Sequence, residues 1–509
     1  VSRSRTDLYF LVNRFSADSG GRTRSAFVRA AALAGVYRSS TLLTLNFRTD
    51  YHDVVEAWRL RLGLPANVTV RNIHEWMADE PVFAPAAPVR FRPPEGARKV
   101  RREDAVHWEV RDEGVLTDRY LVEGGVLQRS LHWEGGVRVR AVTYDDRGAA
   151  RLVTHYRPGA AEPHLRTFTT AAGRTYLEHD PAADAWRVLE GPRATDGFVP
   201  VAEVGRRWVA ALQAASQDCV LLVEDRRMDP LVLDNPHLSP QTRSVATIHS
   251  VHLAPPYDDP DVVGGLNARA LERADEFSRV VILTREQRRD VERHFGPRPN
   301  LVTIGSPVAA PSRRGVPLRT RLGELARRPA HVVVVTRLSP HKRVDHTVRA
   351  FALVVARVPW ARLHLWGDGE SRPELERLVQ ELGLTRTVTF HGHTTDPLGA
   401  YRRARVAVST SQSEGHSLTM LESLAQATPY VTYGYRYGPR DTIRDGWDGY
   451  VVPVDDVEAL ADAVVRVLTH PWRARLMGLV ATRVRWTSSP RRWKRRWVQV
   501  VDGTAPGRR

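Results

Sequence analysis

RVAVSTSQSEGHSLTMLESLAQATPYVTYGY, residues 405–435, contains a strand, a loop, a helix and a second strand in one run. The apolar segment ends in serines, and Glu414 stands on a glycine turn. A helical pattern carrying Glu422 follows, then Pro429 and another short apolar segment. Working outward, HVVVVTRL, ARLHLWGDG and TVTFHGH are further strands, with helical stretches at 343–357, 371–382 and 396–404. Such alternation predicts a parallel, doubly wound sheet. Ligands of such sheets bind at the carboxyl ends of the strands, so the loops just after strands carry the chemistry.

The pattern recurs upstream, interrupted once. Residues 1 to about 85 read as α/β, with DLYFLV and STLLTLNF as strands around the helical TRSAFVRAAALAGV. VFAPAAPVRFRPPEGARK, within 82–100, is a proline-rich linker. From about 103 to 192 the chain turns to short alternating segments rich in Val, Tyr, Trp and Thr, punctuated by Gly-Gly and Asp-Asp-Arg-Gly. Period-two segments at intervals of about ten residues predict an antiparallel β-meander. Its edge strands are a candidate surface for self-association into a homo-oligomer. After 200, DCVLLVED, RSVATIHS, RVVILT and NLVTIG restore buried-type strands. PVAAPSRRGVPL, 307–318, reads as a second linker, and RRWKRRWVQVVDG as an amphipathic helix ending at Gly503. The expected domains are 1–87, an inserted β module at 88–197, 198–314, 315–485, and a helix and tail at 486–509.

Composition bounds the alternatives. At 509 residues the chain needs several domains, and 42% apolar with 26% charged content is ordinary for a globular protein. No apolar run approaches the length of a membrane span. The opening VSRSRTDLYFLVNRF lacks a signal-peptide layout, so a cytoplasmic location is expected, extending to the inner face of the membrane if the chain associates with one peripherally. Cys219, the single cysteine, excludes an intrachain disulfide and reads as a buried apolar residue. The net charge of +17 suits polyanions, yet no nucleic-acid-reading motif accompanies it. Nearly all cations are arginine, with lysine only at Lys99, Lys342 and Lys494. A lysine kept against that bias points to a need for its compact charge.

Four loops after strands stand out. Gly20-Gly21 precedes a helix and lets backbone amides approach an anion, or simply makes a turn. Arg337 and Lys342 bracket a Ser-Pro turn after HVVVV, and two fixed cations converging on one point suit a diphosphate. Glu414 lies in the third loop, where its carboxylate can accept from ligand hydroxyls, while the amides of Ser417, Leu418 and Thr419 face a phosphate. Ser417 or Thr419 can cap that helix, and TMLE reads as a capping box that gives Glu422 a structural role. His249 and His252 follow the strand ATI; with His391 and His393 they make no convincing metal set.

TRLSPHKR followed about seventy residues later by SEGHSLTMLES, with an early Gly-Gly turn, closely resembles the retaining glycosyltransferases of family 4. Their E-x7-E signature matches Glu414 and Glu422, with seven residues between. The resemblance covers roughly 1–85 and 200–505 and implies the GT-B fold, two Rossmann-like domains facing a cleft, here with an antiparallel β module inserted in the N-terminal one. The β insertion and YGYRYGPRDTIRDGWDGYVVP resemble more narrowly the subgroup of poly(polyol-phosphate) α-glycosyltransferases of wall teichoic acid and the accessory-secretion-system glycosyltransferase. In those enzymes the inserted sheet serves oligomerisation or acceptor binding.

By position, the resemblance implies that Glu422 holds the ribose of a nucleotide sugar and Glu414 meets the sugar ring. Arg337, Lys342 and Gly20-Gly21 would take the diphosphate, His249 would sit beside the sugar, and the His391-Gly392 loop would bind the base. A metal-independent, front-face transfer of glucose or N-acetylglucosamine from a UDP-sugar follows, with no further cofactor. The acceptor expected is an anionic polyol-phosphate polymer, the alternative a Ser/Thr-rich protein. Two rival classes are a glycoside hydrolase using Glu414 and Glu422 and a non-enzymatic polyanion binder. One departure stands out: the family's Gly-Phe-Gly after the first Glu is Gly415-His416-Ser417 here.

Overall fold

The computed structural model describes residues 4–16, 21–83, 89–102, 105–308 and 328–503. Most of the expected second linker and Gly20 therefore lie outside the described residues. Two compact units are formed, Val1–Ser244 and Val245–Arg509.

In the first unit, β1 (Thr6–Asn13) pairs in parallel with β2 (Ser39–Thr44), and β2 pairs likewise with β3 (Val68–Asn72). The helix Gly21–Leu33 buries Ala26, Phe27, Ala30 and Leu33, the spacing of a single helix face, and Phe27 stacks on Trp58 at 5.2 Å. Ten antiparallel strands, β4 (Arg98–Arg102) to β13 (Val199–Pro200), then follow in sequential order. Sequence pattern and structure agree here for a local reason. Gly124-Gly125 and Gly135-Gly136 both take positive φ (56° and 82°, 56° and 79°), the conformation of a two-residue hairpin turn. The meander is joined to the α/β part by His74, whose Nδ1 lies 2.8 Å from the Tyr176 hydroxyl. Next comes β14 (Asp218–Val223), parallel to β1, with Cys219 buried in it.

In the second unit, β15 (Arg243–Ile248), β16 (Arg279–Ile282) and β17 (Leu301–Thr303) pair in parallel. A six-stranded parallel sheet follows: β18 (His331–Val335), β19 (Arg362–Trp366), β20 (Val388–Gly392), β21 (Val406–Ser409), β22 (Tyr430–Tyr433) and β23 (Gly449–Val452). Its order is β20-β19-β18-β21-β22-β23. Period-two alternation divides β18 between two cores. Val332 and Val334 pack with Phe351, Leu363 and Leu460 on one face; Val333 packs with Ala407, Met420 and Leu424 on the other. The last helix, Pro490–Val501, buries Trp493 and Trp497, and Gly503 follows at φ 80°. Among the described residues no helix is long and apolar enough to cross a membrane.

Candidate active site

The strand order reverses at β18, which has β19 on one side and β21 on the other. Loops leaving β18 and β21 in the same direction therefore meet, although they lie far apart in sequence. The β18 loop makes a short turn, Pro340–Lys342, closed by Arg343 in the left-handed region at φ 48°. Two anchors tie it to the β21 loop. Thr410 Oγ1 donates to the carbonyls of Lys342 (3.1 Å) and Arg343 (2.6 Å), and the Gln412 N–H donates to the His341 carbonyl at 3.0 Å. So held, Lys342 Nζ donates to Glu414 Oε1 at 2.5 Å, and Ser411 Oγ donates to the same oxygen at 3.1 Å. The exposed Arg337 guanidinium has, among the described residues, no carboxylate partner.

The turn bearing Glu414 is pinned from its other side as well. The Glu414 N–H donates to the Arg436 carbonyl (3.0 Å), and the Tyr437 N–H returns to the Glu414 carbonyl (2.9 Å). Arg436 is in turn ion-paired with the buried Asp290. A Cβ on Gly415 would stand 1.8 Å from the His249 carbonyl oxygen, so only glycine fits. His416 Nδ1 accepts from the Ser306 N–H at 2.9 Å, and its Nε2 lies 3.3 Å from Thr442 Oγ1. Burial pushes this imidazole down to about 4, so it is neutral near pH 7. With Nδ1 accepting, the proton sits on Nε2 and is donated to Thr442.

Ser417, at the position where the resembled family pattern has a second glycine, takes φ −60° and ψ 112°, open to any residue. Its Oγ accepts from the Met420 N–H at 3.3 Å and caps the helix Leu418–Ala425. Of the two expected caps it is Ser417 and not Thr419 that serves, so the TMLE capping box is corrected and Glu422 lies beyond the reach of that motif. Instead Glu422 shares the outward side of the helix with Leu418 and Thr419, opposite the buried Met420, Leu421 and Leu424.

The other expected residues fall as follows. His249 directly follows β15, and its carbonyl meets Gly415. Gly392 ends β20 at φ 69°, and its carbonyl accepts from the Gly367 N–H at 2.7 Å. His391 stacks on Trp366 (4.0 Å between centroids) and lies 2.9 Å from His364. Gly21 opens the helix Gly21–Leu33 in the first unit. Sequence reasoning passed over Gly367-Asp368-Gly369. Cβ atoms on the two glycines would stand 1.7 Å from the Thr336 carbonyl oxygen and 2.3 Å from that of Leu338, so this turn packs against the Arg337 loop. Its signal was a Gly-x-Gly directly after a strand. Among the described residues no group of three His, Cys, Asp or Glu side chains is arranged to hold a metal ion.

Residues 323–484, which contain Arg337, Lys342, Glu414 and Glu422, match the family of glycosyl transferases, group 1. They are a group 1 glycosyltransferase domain. The chain is 26% identical over 266 residues to the poly(glycerol-phosphate) alpha-glucosyltransferase of Bacillus subtilis (strain 168), a stretch covering 52% of this chain and 38% of that enzyme. The chain thus spans well under half of that relative. Among solved structures it resembles TarM, with a TM-score of 0.81, 18% identity and coverage of 98% and 99% of the two chains. It also resembles the pneumococcal O-GlcNAc transferase GtfA, solved with UDP and GlcNAc, with a TM-score of 0.76, 15% identity and 98% of both chains covered. The matched domain therefore belongs to a chain whose fold is that of these structures, the GT-B fold.

Proposed function

We propose that this chain is a retaining glycosyltransferase that moves glucose or N-acetylglucosamine from a UDP-sugar to a hydroxyl of an anionic polyol-phosphate polymer. The observation that carries the reading is the Lys342–Glu414 ion pair at the point where the strand order of the six-stranded sheet reverses. Departure of a nucleoside diphosphate builds negative charge on its terminal phosphate. Lys342, Arg337 and the amides at the Ser417-capped helix start are the groups that would neutralise it. These side-chain cations would take the place of a divalent metal. Glu414, steadied by Lys342 and Ser411, would accept from sugar hydroxyls, and Glu422 from the ribose. The acceptor hydroxyl would attack from the face the diphosphate leaves, passing its proton to a departing phosphate oxygen, so the anomeric configuration is retained.

Three features support a polymeric acceptor: the net charge of +17, the inserted β-meander, and the similarity to a poly(glycerol-phosphate) transferase. The deciding experiment measures UDP release from UDP-glucose and UDP-N-acetylglucosamine with poly(glycerol phosphate), with a Ser/Thr-rich peptide, and with neither, each with and without chelator. Release that depends on the polymer and survives chelation is expected. Transfer to the peptide alone would replace the acceptor assignment, and hydrolysis of a simple glycoside without nucleotide would replace the enzyme class.

A further inference from the structure

The helical stretch 471–487 carries three large apolar residues on its outer side. Pro471–Ala481 and Val484–Thr487 are helical, and the linking Thr482 and Arg483 keep right-handed helical angles (φ −63° and −57°), so the chain winds almost continuously from 471 to 487. At 100° per residue, positions 472, 476, 479, 483 and 486 fall within about a quarter of the circumference. The opposite side is filled by Ala474, Met477, Ala481 and Val484, which enter the two cores. On the outer side Trp472, Leu476 and Trp486 are 70%, 60% and 70% exposed. Single exposed apolar residues are ordinary, but two tryptophans and a leucine on one outer helix face are not.

Cations accompany this face in sequence, and two of them touch its rings. Residues 471–503 hold nine Arg or Lys and one acid, Asp502. Arg475 lies over the Trp472 ring at 4.5 Å, and Arg492, from the last helix, lies over Trp486 at 4.4 Å. Arg473, Arg491, Lys494 and Arg495 have, among the described residues, no carboxylate partner.

We propose that the face bearing Trp472, Leu476 and Trp486, with the cations around it, docks on an anionic bilayer surface. Tryptophan and arginine together suit the boundary between headgroups and acyl chains, where rings enter the apolar layer and guanidinium groups meet lipid phosphates. A polyphosphate polymer would use the cations but leave the three apolar side chains in water. A second copy would cover the apolar face but bring two sets of unpaired cations together. The bilayer satisfies both halves of the surface, and this inference stands apart from the reaction proposed above.

The test is co-sedimentation of the full chain with phosphatidylcholine vesicles, with and without phosphatidylglycerol. Binding that requires phosphatidylglycerol and weakens with salt is expected. Trp472→Ser with Trp486→Ser should lower the bound fraction at least about tenfold, while leaving binding of soluble polyphosphate and the melting curve unchanged. Arg491→Glu with Arg495→Glu should weaken both bindings. The proposal is overturned if the parent does not bind anionic vesicles or if the tryptophan variant binds them like the parent. It is equally overturned if the tryptophan pair dissolves an oligomer in sedimentation velocity without changing vesicle binding.

Discussion

Lys342 and Glu414, 72 positions apart, share a hydrogen bond of 2.5 Å at the reversal of the six-stranded sheet. The pair is partly exposed, with side chains 21% and 24% accessible, so it contributes little to stability, on the order of 1 kcal/mol at most. Lys342→Ala should therefore leave the melting curve nearly unchanged while lowering UDP release by about 10²–10³-fold. Lys342→Arg should fail to restore it, because a planar guanidinium does not replace a compact ammonium held between Glu414 and a phosphate. Full turnover by Lys342→Ala would remove Lys342 from the mechanism.

Gly415→Ala tests the approach of two backbones. The added methyl would overlap the His249 carbonyl oxygen, and neither chain segment is a flexible side chain that can swing away. The expected cost is about 1–3 kcal/mol in urea unfolding, with a larger fall in activity because Glu414 moves with the turn. An unaltered unfolding midpoint would show that the turn yields freely.

His416 makes stability depend on pH in a defined direction. Its imidazole is pushed from 6.5 down to about 4 by burial, so between those values the unfolded chain binds a proton that the folded chain does not. Its contribution is fully present above about pH 6.5 and is lost as pH falls towards 4. His252, buried and pushed down to about 4, acts in the same direction. Asp146, raised to about 6 by burial beside Asp53, acts oppositely over part of that window. Replacing His416 with Asn should remove about one proton from the slope of unfolding free energy between roughly pH 6 and pH 5. An equal slope in parent and variant would exclude this role.

Asp441 caps a helix distant in sequence. Its Oδ2 accepts from the Glu286 N–H at 2.9 Å and from the Arg285 N–H, at the start of Arg285–Phe295. Asp441→Ala should cost about 1–2 kcal/mol, and Asp441→Asn less, as read from denaturant midpoints. A neutral alanine substitution would mean that Thr284, which accepts from the Gln287 N–H, suffices as the cap.

Five strands of the six-stranded sheet and the helices between them were legible from local periodicity, whereas the edge strand Gly449–Val452 and the helices Val457–Thr469 and Pro471–Ala481 were not read. The meander was legible from its paired glycines, whose positive φ is a property of the residue itself. Partnerships across the chain were not. Nothing near Gly415 signals that the His249 carbonyl lies against it, and nothing near Asp441 signals the helix at Arg285. That Ser417 rather than Thr419 is the cap could not be read for a simple reason. Ser417 and Thr419 both offer a hydroxyl before an apolar run, and the difference lies in backbone angles that only the packed turn fixes. The family resemblance put Lys342 and Glu414 in one site, but not in contact with each other.

Gly415 against the His249 carbonyl also limits how this chain can be re-engineered. The Glu414 turn and the end of β15 form a single mechanical part, built from two distant stretches of the chain. Grafting the 413–417 loop from a relative with another donor preference would misfit unless residues 249–250 were transplanted with it. Libraries aimed at a new sugar should vary both segments in the same clone.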